Sequence, residues 1–261
     1  MSKIARLAGS LAGAILLCSV ASASAEPADD PWPGLVKDLF QSRQISEDNV
    51  ISLDAPKRAE DASIVPMTLR FTPGLRKATL VIDQNPMPMS GAFALGENSG
   101  VTFISTRVRV NSYTNVHAVA ETADGALHAQ VKFVKAAGGC SAPASKNADE
   151  ANAHLGEMKY REFKSAEPGL REAQIMIRHP NSSGMQMDQL THLYIPARYI
   201  EKLSVRQGDA TIFTMEGGIS LSENPTFRFT YAPNGAKTIT VEARDSKGEV
   251  FRQEFPAGEG T

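Results

Sequence analysis

From Val50 onward, apolar residues fall on every second position in a series of short segments, the two-residue repeat of strands with one face in a core and one in water. Leu127, Ala129, Val131 and Phe133 alternate with His128, Gln130 and Lys132; Ile239, Val241 and Ala243 alternate with Thr238, Thr240, Glu242 and Arg244. Between such segments stand residues that tolerate positive φ, Asp124-Gly125, Asn234-Gly235 and Ser246-Lys247-Gly248, which read as hairpin turns. About seven strand candidates lie on each side of position 140, a number that suits two β-sandwiches.

Helical periodicity is sparse. Pro33 to Phe40 places Leu35, Val36, Leu39 and Phe40 on one stripe, which predicts a short helix covering the first sandwich. A second helix is expected between Asn147 and Tyr160, with Asn147 as N-cap and Ala148-Asp149-Glu150 putting negative charge in its first turn. Gly138 to Ser145, rich in Gly, Ser, Ala and Pro, reads as a linker without core-forming residues.

The N-terminus departs from this pattern. Lys3 and Arg6 precede an apolar run from Leu7 to Val20, and Ala23-Ser24-Ala25 offers the small residues that a signal peptidase inspects. Residues 1–25 are therefore expected to be a cleaved signal peptide, with export to the periplasm. The run is short for a membrane span, no later stretch approaches the ~20 apolar residues that a bilayer requires, and no membrane partner is expected. Cys18 follows Leu16-Leu17 rather than the small residue of a lipoprotein signal, so it leaves with the leader. The chain has 27 Lys+Arg against 29 Asp+Glu; without Lys3 and Arg6 the balance is 25 to 29, a net charge of −4. This balance, with no basic block, argues against nucleic acid as a partner.

Cleavage would leave one cysteine, Cys140, in the run Ala137-Gly138-Gly139-Cys140-Ser141-Ala142-Pro143. A lone thiol in an oxidising compartment has no internal partner, and its small neighbours give it little to pack against. The expectation is a presented thiol, with Gly138 and Gly139 supplying flexibility. If about five residues on each side extend, the sulfur stands off by at most ~15–18 Å. An ordinary thiol pKa near ~8.5 leaves a few per cent thiolate at neutral pH, enough to attack a disulfide or a polarised sulfur. Lys135 and Lys146 flank the segment and would lower that pKa or attract anions, although lysines beside a linker are usually just solvated.

Other candidates are weaker. Met87-Pro88-Met89 and Met185-Gln186-Met187, the latter pair near His179 and His192, have the spacing of soft Cu(I) sites, but loop or core methionines are the commoner meaning of that pattern. His117 and His128 lie in strand patterns and read as polar-face residues. His154 falls on the expected second helix, and no third group completes a Cys/His nucleophile. Arg178-His179-Pro180 and Asn224-Pro225 read as structural elements, since a proline pushes its predecessor out of the helical region. No phosphate-cradling loop, zinc cluster or carboxylate pair is present, so neither metal nor other cofactor is expected.

Residues Ala173 to Phe255 resemble the SoxZ subunit of the sulfur-oxidising carrier complex. The likeness rests on Ile177-Arg178-His179-Pro180 with Gly184, on Ile195-Pro196-Ala197-Arg198-Tyr199-Ile200-Glu201-Lys202-Leu203, and on Gly218-Ile219-Ser220 with Glu223-Asn224-Pro225 and Phe227-Arg228-Phe229. The first half resembles SoxY, whose reactive cysteine stands in a Gly-Gly-Cys-Gly-Gly terminus; Gly138-Gly139-Cys140 matches its first three positions, and Ser141-Ala142 replace the last two. The whole resembles the fused SoxYZ-like carriers associated with quinoprotein dehydrogenases.

The resemblance implies an all-β chain of two tandem immunoglobulin-like sandwiches: residues 26–136 SoxY-like with the short N-terminal helix, 137–164 a cysteine-bearing linker and helix, and 165–261 SoxZ-like. It implies a periplasmic, non-enzymatic carrier that holds a sulfur-containing intermediate covalently on Cys140. Partners would be sulfur-oxidising enzymes, a c-type cytochrome or a quinoprotein dehydrogenase. The alternatives are a docking or assembly module for such a dehydrogenase or its cytochrome, and a copper-handling protein.

Overall fold

The computed structural model describes residues 30–143 and 153–258. The signal-peptide reading and the first part of the expected second helix, residues 147–152, lie outside these residues. Helix α1 (Trp32–Phe40) is followed by β1 (Ile45–Glu47), β2 (Ile51–Asp54), β3 (Val65–Phe71), β4 (Leu75–Ile82), β5 (Met89–Leu95), β6 (Phe103–Val108), β7 (Thr114–Thr122) and β8 (Leu127–Val134). After Cys140 come β9 (Met158–Phe163), β10 (Arg171–Ile177), β11 (Ile200–Gln207), β12 (Ala210–Gly217), β13 (Thr226–Tyr231), β14 (Thr238–Asp245) and β15 (Val250–Pro256). Both halves are all-β sandwich modules. The end of the expected second helix is instead strand: Met158, Lys159 and Tyr160 pair with Ile177, Met176 and Ile175.

The modules join edge to edge through both layers. One sheet has the order β1-β8-β7-β4-β5-β12-β11-β14-β15 and the other β2-β3-β6-β13-β10-β9. The seam lies where β5 meets β12, from Leu95 opposite Phe213 to Gly91 opposite Gly217, and where β6 meets β13. The buried cluster accordingly draws Leu80, Phe93 and Ile104 from the first half and Phe213, Phe227 and Phe229 from the second. Phe93 packs edge-on against Phe213 and Phe227 at ring separations of 6.1 Å, an aromatic contact across the seam.

The predicted strand face Ile239, Val241 and Ala243 is buried along β14. In β8 the alternation holds for Leu127 and Ala129 and then breaks, because Val131 and Phe133 are exposed. Asp124-Gly125 and Ser246-Lys247-Gly248 close hairpins as expected. Asn234-Gly235 does not: β13 and β14 belong to different sheets, and this turn carries the chain between layers.

Helix α1 lies on the outer face of the nine-stranded sheet, where Phe40 joins Val81, Val119, Leu127 and Ala129, with Trp32, Leu35 and Leu39 packed alongside. Covering both faces there explains why β4 is buried at consecutive positions from Ala78 to Ile82. His117 is not on a wet face: its ring stacks on Trp32 at 3.6 Å and its Nδ1 lies 2.9 Å from Asp83 Oδ1. His128 is half-buried and bonded to Asp48.

Candidate functional site

Cys140 is fully buried, with 0% of its surface exposed. The expectation of an open, presented thiol is therefore corrected: the segment around it is docked. Gly138 N–H donates to Asn111 O at 2.8 Å and Gly139 N–H to Val110 O at 3.0 Å, both from the first module. From the second module, the Ser183 hydroxyl donates to Cys140 O and Gln186 Nε2 donates to Ala142 O at 2.9 Å. The thiol thus lies at the seam, clamped from both sides.

The two glycines serve this docking. Gly138 has φ +76°, a turn conformation that other residues rarely adopt, and closes a tight turn with Ser141. At Gly139 a Cβ would stand 2.0 Å from Ala62 O and 2.7 Å from Val110 O, so only glycine lets the backbone approach this closely. Rather than freeing an arm, these residues let it seat.

Beside this segment lies Arg109, to which no sequence motif points. Its side chain is 1% exposed, yet it carries a full positive charge. Nη1 donates to Gly139 O at 3.2 Å, Nη2 to Asn181 O at 3.5 Å, and Nε has no hydrogen-bond partner. Burial pulls its pKa below the ordinary range, while negative charge at Cys140, Glu223 and Asp61 pulls it back. Reciprocally, burial raises the Cys140 pKa and the Arg109 charge partly offsets this. The only advance signal of Arg109 is its place in Val108-Arg109-Val110, a charge between two apolar residues.

The second module's motifs build the opposite wall. Ser220 O accepts the Arg109 N–H at 2.7 Å, and its hydroxyl donates to Met87 O and accepts from Asn85 Nδ2. At Gly218 a Cβ would come within 2.3 Å of the Met87 sulfur, so Gly218-Ile219-Ser220 is a seam motif. Asn181 takes a left-handed φ of 45°, donates to Leu221 O and accepts from Ile200 N–H, holding its own carbonyl toward Arg109.

His179 N–H donates to Asn224 Oδ1, and His179 O accepts from Asn224 N–H, which ties the two proline-containing elements together as structure. His179 Nδ1 accepts from Asn181 N–H and its Nε2 stands 3.6 Å from Asp245 Oδ2. Burial lowers the His179 pKa to about 4, against the opposing pull of Asp245. Burial would raise Asp245, but Arg198 Nε at 2.6 Å and backbone N–H groups of Glu249 and Lys247 outweigh it and hold the carboxyl below its usual range.

The remaining candidates lie apart from this network. Lys135 is exposed, and Lys146 lies outside the described residues. His154 occupies the turn before β9 and pairs with Glu157. Met187 is exposed and bridges to Tyr194, and His192 is exposed on the same loop. Among the described residues, no group of three or more His, Cys, Asp or Glu side chains is placed to hold a metal.

Comparison with known proteins places two family models in tandem on the chain: "Sulfur oxidation protein SoxY" matches residues 36–140, ending on the cysteine, and "Sulphur oxidation protein SoxZ" matches residues 160–256. No curated protein sequence matches the chain. Among solved structures, the sulfur carrier protein SoxY from Chlorobium limicola f thiosulfatophilum is 26% identical, covering 41% of this chain and 91% of that one at a TM-score of 0.37. A superoxide reductase (neelaredoxin) from Ignicoccus hospitalis is 12% identical, covering 40% and 90% at a TM-score of 0.30.

Proposed function

This chain belongs to the SoxYZ-like sulfur-oxidation carrier family, with SoxY and SoxZ domains fused on one polypeptide, and we propose from that premise that it is a periplasmic carrier loaded on Cys140. The observation that carries the reading is the position of this thiol: it is the last residue of the SoxY match and lies beside a buried guanidinium. Loading is a thiol exchange. The Cys140 thiolate attacks a sulfur of a donor S–S bond, that bond breaks, and the leaving sulfur departs with the electron pair, so no external oxidant is consumed.

A buried thiol must first emerge. The clamp consists of the backbone and side-chain bonds at Gly138, Gly139, Cys140 and Ala142; at about 0.5–1.5 kcal/mol net each, their release costs a few kcal/mol, below the ~5–15 kcal/mol stability of a domain. Local opening therefore exposes the sulfur without unfolding. The docked state shelters the thiol or its adduct between encounters with sulfur-oxidising partners. It accounts for how a tethered cysteine survives in an oxidising compartment.

A second reading, a docking module for a periplasmic quinoprotein dehydrogenase or its cytochrome, is favoured by the loop that follows the clamp residue Gln186. It exposes Met187, Leu190, Leu193 and Tyr194, with Leu190 at 88%. Cys140→Ser separates the two readings. The carrier loses function with its fold and partner binding intact, whereas a docking module keeps function.

A further inference from the structure

The outward face of the six-stranded sheet carries a charge that the chain as a whole does not. Overall the chain is slightly acidic, with 27 Lys+Arg against 29 Asp+Glu. On this face the strand registers bring five cations, Arg70, Arg107, Lys159, Arg161 and Arg228, together with two carboxylates, Asp54 and Glu172. One row runs from Arg161 on β9 through Gln174 on β10 to Arg228 on β13. In the next row Lys159 lies opposite Met176 and Met176 opposite Thr226, whose hydroxyl accepts from Arg107 Nη2 at 2.9 Å. The alternate residues Ile175, Ile177, Phe227 and Phe229 fill the core, so the cations stand on the outside.

Two of the five are paired within the face: Arg70 with Asp54 at 3.1 Å, and Arg228 with Glu172. Lys159 and Arg161 are exposed and in no ion pair among the described residues, and Glu157, two residues before Lys159, pairs with His154 at 2.7 Å. The other layer is arranged differently, since Arg252 there stands between Glu242 and Glu254, at 3.8 and 3.1 Å. Charge on β9 alone would be explained as protection of an edge strand against pairing with another chain. Arg228 and Arg107 lie on the interior strands β13 and β6, where no edge needs guarding.

We propose that this patch, centred on Gln174 and Met176 and bounded by Arg107, Lys159, Arg161 and Arg228, docks an acidic surface of a partner protein. From β9 to β13 it spans two strand spacings, about 10 Å, and along each strand two residues, about 7 Å. A small anion meets one or two cations so far apart, whereas carboxylates spread over a protein surface meet all four. A membrane suits the patch less: Met176 and Phe163 are half-buried, the latter under the Arg228 guanidinium at 4.6 Å, and no apolar side chain within the patch stands free to insert. The thiol lies at its border, because Arg107 is two residues from Arg109, whose Nη1 holds Gly139 O. This docking face goes beyond the carrier reading and stands without it.

The test titrates fluorescein-labelled poly-L-glutamate with the full chain and follows anisotropy. At about 0.1 M salt the screening length is ~10 Å, the width of the patch, so the probe feels the patch rather than the net charge. Saturable binding that is lost at about 0.5 M salt is expected, and absence of binding overturns the inference. Lys159→Glu with Arg161→Glu, at exposed positions, is expected to bind about tenfold more weakly at an unchanged melting temperature, whereas the same reversal on the other layer, Lys202→Glu with Arg244→Glu, leaves binding intact. Equal effects of the two reversals overturn the inference, since they would report net charge alone. Tighter binding to vesicles containing phosphatidylglycerol than to polyglutamate overturns the assignment to a protein partner. Cys140→Ser is expected to bind as the wild type does, so failure of the docking face and failure of the carrier reading are distinguishable.

Discussion

Arg109 donates from Nη1 to the carbonyl of Gly139, the residue immediately before the cysteine, across 3.2 Å of buried space at the seam between the modules. One side chain of the first module thereby senses whether the cysteine segment is seated. Asn181 of the second module shares the same guanidinium through its own carbonyl. Seating of the segment and closure of the seam are consequently linked.

Gly139→Ala forces the segment out, because its new Cβ would lie 2.0 Å from Ala62 O. Overpacking of this kind costs about 1–3 kcal/mol, which at the upper end is a hundredfold change in the open population. Labelling of Cys140 by a thiol reagent is expected to speed up by roughly ten- to a hundredfold, with far-UV circular dichroism unchanged. If the segment were a free arm, the substitution would leave the rate where it was.

The thiol's raised pKa has a pH signature. Since burial favours the neutral form in the fold, its contribution to stability is fully present below the unfolded thiol value of about 8.5 and is lost as pH rises through the higher folded value. Cys140→Ser is expected to flatten the decline of melting temperature above that pH. An unaltered alkaline slope contradicts burial beside a low-dielectric wall.

His179 acts at the opposite end of the scale. Its folded pKa of about 4 lies below an unfolded value near 6.5, so its stabilising effect is present above pH 6.5 and disappears as pH falls toward 4. The shift corresponds to at most about 3 kcal/mol. Melting curves of wild type and His179→Gln over this window are expected to converge on acidification; parallel curves would show that His179 titrates normally.

Trp32 is the chain's single tryptophan, so its fluorescence reports the docking of α1 directly. His117→Ala removes the stacked ring and the Asp83 pair together. A red shift of Trp32 emission is expected with a loss of about 1–3 kcal/mol in stability, the lost stacking adding to an unpaired buried carboxylate. An unshifted emission means that the helix docks without the stack.

What was legible in the sequence was what depends on near neighbours. The alternation of Ile239, Val241 and Ala243, the stripe from Leu35 to Phe40, and the hairpin at Asp124-Gly125 are local signals, and local physics suffices for them. The burial of Cys140 is not legible locally because the groups that seat its segment, Val110, Asn111 and Ser183, are distant in sequence, and because a glycine needed for close approach looks the same as one that confers flexibility. Arg109 gives no such signal, because a charge at a strand end is ordinarily solvated. His117 looked like a wet-face residue because nothing in β7 itself reveals that α1 lies on that face. Asn234-Gly235 has hairpin chemistry, but the layer to which the next strand belongs is decided by the tertiary fold.

The most direct measurement is the mass of the Cys140 peptide from protein purified, without reductant, out of the periplasm of its own cells. A carrier yields a population in which this peptide carries added sulfur or a thiosulfonate and returns to the free thiol mass on reduction. A peptide found only as the unmodified thiol while the partner enzymes are turning over sulfur would contradict it.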